Sequence, residues 1–394
     1  MGQIHFIDKK EIKDKKILLR VDFNVALTSK FKIADDERIR QSIPTIKKLY
    51  KENKLILVAH LDRPEKRDKK YSLGVVVKRL SEYLPDVKIK LVDDFLDEKG
   101  IRLLTEQKNG EILFLENIRF YPGEEANDIE FSEKLAGIAD IYVNDAFGVA
   151  HRASSSVVGV ANILPSYGGL LLQKEIEVIG SLLKDPKHPL VAIIGGSKVS
   201  TKFELLHKLT QLADVLVLGG GIANTFLSAK GLPVGKSLYE KNMDHSVGQI
   251  ISEAKKHGTE IVLPQDVAIG EKDNPDLGSS IRKVEDVKMH DMILDIGPET
   301  MAEYAKIIGS AKTVVWNGPV GYIENEQFSR GTDFLYYAIA QNESVVSVVG
   351  GGDTIAAISK KEYLDNITHI STGGGAMLEF IEKGTLPGIE ALKK

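Results

Sequence analysis

Eleven short apolar runs, separated by mixed segments long enough for a helix, constrain this chain more than any other feature. They are KILLRV (16–21), LILVAH (55–60), VKIKLV (87–92), EILFLEN (111–117) and DIYVND (140–145), then LVAIIGG (190–196), VLVLGGG (215–221), EIVLPQD (260–266), TVVWNG (313–318), VVSVVGGG (345–352) and HIST (369–372). Runs of this kind are strands buried on both faces, and helix-length spacers make them parallel strands in βαβ units. Five fall before residue 160 and six after it, which predicts an α/β chain of two doubly wound, Rossmann-like parallel sheets. At 394 residues the chain is also too long for one hydrophobic core.

Between the two sets, Gly168-Gly169 precedes LLLQKEIEVIGSLLKDP, in which Leu172, Ile176, Ile179 and Leu183 recur at helical spacing until Asp185-Pro186. A single connecting helix over 170–185 is expected, with an N-terminal domain at 1–169, a second domain at 186–375 and a tail at 376–394. Such a helix can carry a hinge, so a cleft that closes between the domains is expected too.

Composition narrows the function. Lys+Arg (52) nearly balance Asp+Glu (56), which removes a global electrostatic case for nucleic acid and makes any anion site local. The absence of cysteine excludes disulfides, thiolate metal sites and a cysteine nucleophile, and fits a reducing cytoplasm. No 18-residue apolar run occurs, and MGQIHFIDKKEIKDKK lacks the apolar core of an export signal, so a cytoplasmic protein without membrane contact is expected.

In open parallel sheets ligands sit beyond the carboxyl ends of the strands. There the halves differ. Nine of the eleven arginines lie before residue 153, and the first-half strand ends read Asp22-Phe23-Asn24, His60-Leu61-Asp62-Arg63, Glu116-Asn117-Ile118-Arg119 and Asn144-Asp145, with His151-Arg152 just beyond. Arginine presents a planar fork to phosphate and carboxylate, so Arg63, Arg119 and Arg152 point to a pocket for a small polyanion, whereas Arg67, Arg79 and Arg102 read as solvated surface. The second half holds 24 of the 35 glycines, gathered at Gly195-Gly196-Ser197-Lys198, Gly219-Gly220-Gly221, Gly350-Gly351-Gly352-Asp353 and Gly373-Gly374-Gly375. Glycine turns let backbone N–H groups approach phosphate, and a helix N-terminus behind each adds its dipole. Lys198 and Lys202, at i and i+4, are expected on one helix face within reach of phosphates. Asp353 suits either magnesium or an N-cap.

No G-x-G-x-x-G lies at these turns, which argues against a nicotinamide enzyme, and Gly231-Leu232-Pro233-Val234-Gly235-Lys236-Ser237 is one residue short of a Walker A loop. An arginine-rich half and a glycine-rich half joined by one helix imply a transferase that brings two substrates together.

At RVDFNV (20–25), HLDRP (60–64), LENIRF (115–120), VNDAFG (143–148), AHR (150–152), IGGSKVSTK (194–202), GGGIANTFL (219–227), DIGPET (295–300), WNGPVG (316–321), GGGDT (350–354) and STGGGA (371–376), the chain resembles the phosphoglycerate kinase family along nearly its whole length. The resemblance implies a glycolytic monomer that transfers a phosphoryl group reversibly between 1,3-bisphosphoglycerate and ADP. It implies that Asp22, Asn24, Arg38, His60, Arg63, Arg119 and Arg152 hold 3-phosphoglycerate or its acyl phosphate. It also implies that Gly196, Lys198, Lys202, Gly219, Gly220, Asn317, Glu324, Gly351, Gly352, Asp353 and Thr354 hold ADP or ATP. Glu324 would face the ribose and Asp353 the magnesium ion. Arg38, Lys198, Gly373 and Gly374 would stabilise the transferred group, and the tail would pack back on the N-terminal domain. The chain departs from the family pattern at Ala26 (usually proline), Asp62 (glycine), Ser154 (histidine) and Thr201 (aspartate), and the Asp62 carboxylate is expected to point to solvent. Two rivals remain open: a kinase of another carboxylate, such as acetate or carbamate, and a nucleotide sensor without catalysis.

Overall fold

A computed structural model describes residues 2–272, 278–352, 354 and 361–393. The chain divides into two compact units, one formed by residues 1–177 and 385–394 and the other by 178–384. The helix Leu170–Lys184 carries the chain from the first to the second.

The first unit is built on six parallel strands, β1 (Lys16–Arg20), β2 (Lys54–Val58), β3 (Ile89–Val92), β4 (Ile112–Leu115), β5 (Ile141–Asn144) and β6 (Ser166–Gly168), in the order β3-β4-β2-β1-β5-β6. Ile17, Leu18 and Leu19 of β1 and Leu55, Ile56 and Leu57 of β2 are fully buried, as continuous apolar runs require when helices cover both faces. After β1 the chain works outward through β2, then returns to place β5 on the other side of β1. The sheet therefore has a switch point between β1 and β5.

The second unit repeats this plan. Its strands β7 (Leu190–Ile194), β8 (Val215–Leu218), β9 (Glu260–Val262), β13 (Thr313–Asn317), β14 (Val346–Gly350) and β15 (His369–Ser371) lie in the order β15-β14-β13-β7-β8-β9, with the switch between β7 and β13. A separate antiparallel sheet of β10 (Asp266–Ile269), β11 (Ser280–Lys283) and β12 (Ile293–Ile296) was not anticipated from sequence. The apolar run 260–266 is not one strand, because β9 ends at Val262, and after Pro264 the chain opens β10 in the other sheet. In the first unit, β6 was missed because only three residues, Ser-Tyr-Gly, pair with β5.

The connecting helix is capped from β5. Asp145 Oδ1 accepts the N–H groups of Leu171 at 2.9 Å and Leu172 at 3.3 Å, and a Cβ on Gly169 would stand 2.1 Å from the same oxygen. Glycine is thus the residue that lets the cap close.

The last ten residues belong to the first unit. Gly388 N–H donates to the Ala150 carbonyl at 2.8 Å, Lys393 bridges to Ile4, and Leu386, Ile389 and Leu392 are buried. Replacing the fully buried Leu392 by alanine should therefore cost about 2–4 kcal/mol of stability, measured by urea unfolding followed by circular dichroism.

Candidate functional site

The carboxyl edge of the first sheet gathers the predicted anion ligands. Asp22 and Asn24 follow β1, His60 and Arg63 follow β2, Arg119 follows β4, and Arg152 lies beyond β5. Arg38 reaches the same edge from the first turn of the helix Glu37–Tyr50. Its Nη1 contacts the buried Asp22 carboxylate at 3.2 Å and donates to the Asn24 carbonyl at 2.8 Å. Arg119 donates to the Asp62 carbonyl at 2.5 Å and pairs with Glu125 at 3.2 Å.

Arg20, the last residue of β1, was left out of the site by sequence reasoning. It is 2 % exposed, and its Nη2 lies 3.0 Å from His60 Nδ1, while its Nε and Nη1 have no partner. A guanidinium can only donate, so His60 Nδ1 accepts and the ring proton sits on Nε2. Burial drives the His60 pKa well below its ordinary value, and the charges of Arg20, Arg119, Arg38 and Arg152 drive it further down. His60 is a neutral donor through Nε2. Arg119 is itself lowered, first by burial and then, against the pull of Glu125, by Arg152, Arg20 and Arg63. A guanidinium depressed by neighbouring cations in this way seeks an anion. Arg20, Arg119, Arg152, Glu124, Glu125 and Ser154 line a small cavity of ≈ 110 Å³ here. Ser154 donates to the buried Glu124 at 2.9 Å, so its hydroxyl helps to satisfy that carboxylate.

Asp62 is exposed, and its Oδ1 accepts the Arg63 N–H at 2.8 Å, an interaction confined to its own turn. Its φ of 56° is left-handed, the conformation glycine adopts most easily.

The second unit places its glycine turns around the β7–β13 switch. Lys202 Nζ spans that switch, donating to the Gly195 carbonyl at 2.8 Å and to Asn317 Oδ1 at 3.0 Å. Asn317 Nδ2 in turn donates to the Gly350 carbonyl at 2.8 Å, and Thr354 Oγ1 accepts the Gly318 N–H at 2.9 Å. The turns after β7, β13 and β14 are thereby knitted together. Gly196 has φ 115°, closed to other residues without strain, and leads into the exposed Lys198. Gly196, Gly220 and the exposed Glu324 line a cavity of ≈ 430 Å³ whose apolar wall includes Leu238, Val267, Ile293 and Val320. That volume lies within the range of small-molecule pockets. Gly373 caps the helix Gly374–Lys383 after β15, and its N–H donates to Ser371 Oγ at 3.3 Å. Gly219 precedes the helix Gly220–Ala229, Gly351 and Gly352 follow β14, and Asp353 lies outside the described residues.

Two expectations need correction. Lys198 and Lys202 do not share a helix face, because the α-helix begins only at Phe203, after a 3-10 turn at Ser200–Lys202, and Lys202 folds back on Gly195. Nor is that helical N-terminus free for phosphate, since the Ser200 N–H already donates to Glu240 at 2.8 Å. The Walker-like segment is a structural connection: Gly235 adopts φ 53°, Lys236 N–H donates to the Asp291 carbonyl at 2.7 Å, and Ser237 Oγ accepts the Ile293 N–H at 2.8 Å.

Burial lowers the Lys202 pKa to about 8. Unfolding returns it to about 10.4, so between these values the unfolded chain binds the extra proton and this group's contribution to stability rises with pH. Urea unfolding at pH 7 to 10 should show that rise in the native chain and a flatter profile in Lys202→Met, and carbon NMR of the lysine Cε should give a midpoint of about 8.

The family model for phosphoglycerate kinase matches residues 7–384. The phosphoglycerate kinase of Dictyoglomus turgidum is 45% identical over 384 residues, spanning 97% of this chain and 96% of its own. The cytosolic phosphoglycerate kinase of Triticum aestivum is 44% identical over 386 residues, with 97% and 96% covered. Among solved structures, phosphoglycerate kinase from Coxiella burnetii matches with a TM-score of 0.85 at 38% identity, covering 99% of both chains. The Pyrococcus horikoshii enzyme matches with the same score at 32% identity, covering 99% of this chain and 98% of its own.

Proposed function

The chain belongs to the phosphoglycerate kinase family, and from that membership we propose how its residues divide the work of the family's reaction. The reaction is reversible phosphoryl transfer from 1,3-bisphosphoglycerate to ADP, giving 3-phosphoglycerate and ATP, a step of glycolysis. The observation that carries the assignment of residues is a segregation of chemistry. Mutually repelling guanidinium groups surround a neutral histidine in one unit, and glycine turns rim an apolar-walled cavity in the other.

Arg63, Arg119 and Arg152 bind the triose phosphate, with Asp22 and Asn24 orienting Arg38 and the substrate. His60 donates Nε2–H to an acceptor oxygen of the triose. No side-chain base is required, because the attacking oxygen belongs to an ionised carboxylate or to the ADP β-phosphate. Catalysis is then placement and charge stabilisation of an in-line transfer without a covalent intermediate. Arg38, Lys198 and the N–H groups at Gly373 and Gly374 stabilise the equatorial oxygens. Gly196, Lys202, Gly219, Gly220, Asn317, Gly351, Gly352 and Thr354 shape the phosphate side of the nucleotide site, and Glu324 takes the ribose. Magnesium travels on the nucleotide as part of the substrate, and Asp353 is the carboxylate proposed to hold it. Among the described residues no group of three acidic or histidine side chains is arranged for a metal. The ligand residues belong to separate units, so transfer calls for a hinge motion that unites them. We place the protein in the cytoplasm as a monomer. Its described residues include no helix long and apolar enough to cross a membrane.

A coupled assay of ATP consumption should show turnover with 3-phosphoglycerate and none with acetate or carbamate; turnover with either control and not with the triose would refute the substrate assignment. Arg38→Ala should lower kcat by about 10²–10³ and leave the KM for ADP within roughly threefold, as loss of one transition-state donor does.

A further inference from the structure

The turn that carries Lys198 begins a helical stretch without a cap of its own. Val199 stands at the N-cap position, where its side chain offers no acceptor, and the 3-10 turn Ser200–Lys202 follows directly. The missing acceptor comes from forty residues away. Glu240 Oε2 accepts the Ser200 N–H at 2.8 Å and Oε1 accepts the Ser200 hydroxyl at 2.5 Å. Desolvation acts to raise the Glu240 pKa, but the Ser200 side chain, the Ser200 and Val199 backbone N–H groups and the nearby Lys198 charge together hold it below its ordinary value.

Glu240 is itself anchored to the other wall of the nucleotide cavity. Its backbone N–H donates to Thr225 Oγ1 at 3.0 Å, and the buried Thr225 hydroxyl donates to the Gly221 carbonyl at 2.7 Å, in the first turn of the helix Gly220–Ala229. Asn224 on the same helix donates to the Leu238 carbonyl at 3.1 Å, fixing the approach to Glu240. That helix start is also pressed against the Lys198 turn: Ile222 N–H donates to the Gly196 carbonyl at 3.1 Å, and a Cβ on Gly221 would lie 2.6 Å from the Ser197 carbonyl oxygen. A closed circuit results, running from Gly196-Ser197 through Gly221 and Thr225 to Glu240 and back to Ser200. Lys198 is the exposed cation in the middle of it.

We propose that Glu240 is a positioning residue for nucleotide binding, which ties the Lys198–Lys202 turn to the glycine turn at Gly219-Gly220-Gly221 so that both present their donors to the same phosphates. It touches no substrate; it acts through Ser200 on one side and Thr225 on the other. The carboxylate also occupies the positive end of the helical stretch, which leaves phosphate recognition at this turn to the lysines and the Gly196–Ser197 backbone.

This inference rests on the reading of Lys198 as a nucleotide ligand, so the experiment includes Lys198→Ala as its own arm. Steady-state kinetics with MgADP and 1,3-bisphosphoglycerate, together with melting temperatures, should be measured for Glu240→Ala, Glu240→Gln and Thr225→Val. Glu240→Ala should raise the KM for ADP about tenfold, the scale of a lost capping interaction, and leave the KM for the triose unchanged. Glu240→Gln, which keeps an acceptor for the Ser200 N–H, should restore the KM for ADP to within about threefold, and Thr225→Val should shift it in the same direction as Glu240→Ala but less. If Glu240→Ala lowers only the melting temperature, or raises both KM values alike, Glu240 is a stability residue and the inference is overturned. If Glu240→Ala cannot be purified folded, Thr225→Val decides: a raised KM for ADP with an unchanged KM for the triose supports the circuit, and an unchanged KM for ADP overturns it. A KM for ADP unaffected by Lys198→Ala would instead overturn the underlying nucleotide reading.

Discussion

Both units depend on a crevice that strand order makes unavoidable. Where β5 lies beside β1, and β13 beside β7, the chain leaves the two neighbouring strands toward opposite faces of the sheet, and the carboxyl ends between them stay uncovered. Backbone groups there have lost their ladder partners and must find others. In the second unit the Lys202 ammonium does this, bridging the Gly195 carbonyl after β7 and the Asn317 side chain at the end of β13. In the first, Arg20 ends β1 with its guanidinium turned to His60 and two of its nitrogens unpaired.

The two crevices then meet opposite electrostatic problems. The first collects four guanidinium groups, those of Arg20, Arg38, Arg119 and Arg152, around one buried imidazole, and the imidazole responds by staying neutral with its donor on the far nitrogen. Repulsion is partly offset by Asp22 on Arg38 and Glu125 on Arg119, which hold the forks in place without neutralising the cluster. The second crevice relies on backbone more than on charge. Its two lysines differ: Lys202 is drawn into the protein and its proton is weakened, whereas Lys198 is exposed on a turn held by its neighbours.

Much of this was legible in the residues. The continuous apolar runs identify strands because a strand buried on both faces has no reason to alternate, and all eleven runs contain strand. The placement of candidate site residues after strands follows from parallel topology alone, which is why the strand ends at Asp22, His60 and Arg119 could be singled out, whereas Asn317 came only from the family resemblance. Short elements were not legible. β6 has three residues and β11, Ser-Ile-Arg-Lys, has no apolar face to announce it; both exist because a neighbouring strand offers a free edge. The start of the helix after Lys198 was also misjudged, since spacing of i and i+4 presupposes a helix that here begins later.

From sequence alone came the class of fold, the split into an arginine-bearing and a glycine-bearing half, and the residue types at each strand end, because periodicity and local chain chemistry depend on near neighbours. Tertiary structure decided which of those residues became partners. It turned Arg20 toward His60, joined Lys202 across the switch to Asn317, and brought Glu240 to cap Ser200 from forty positions away. Each of these is a contact between segments far apart in the chain, and which donor meets which acceptor is settled only when packing brings the segments together.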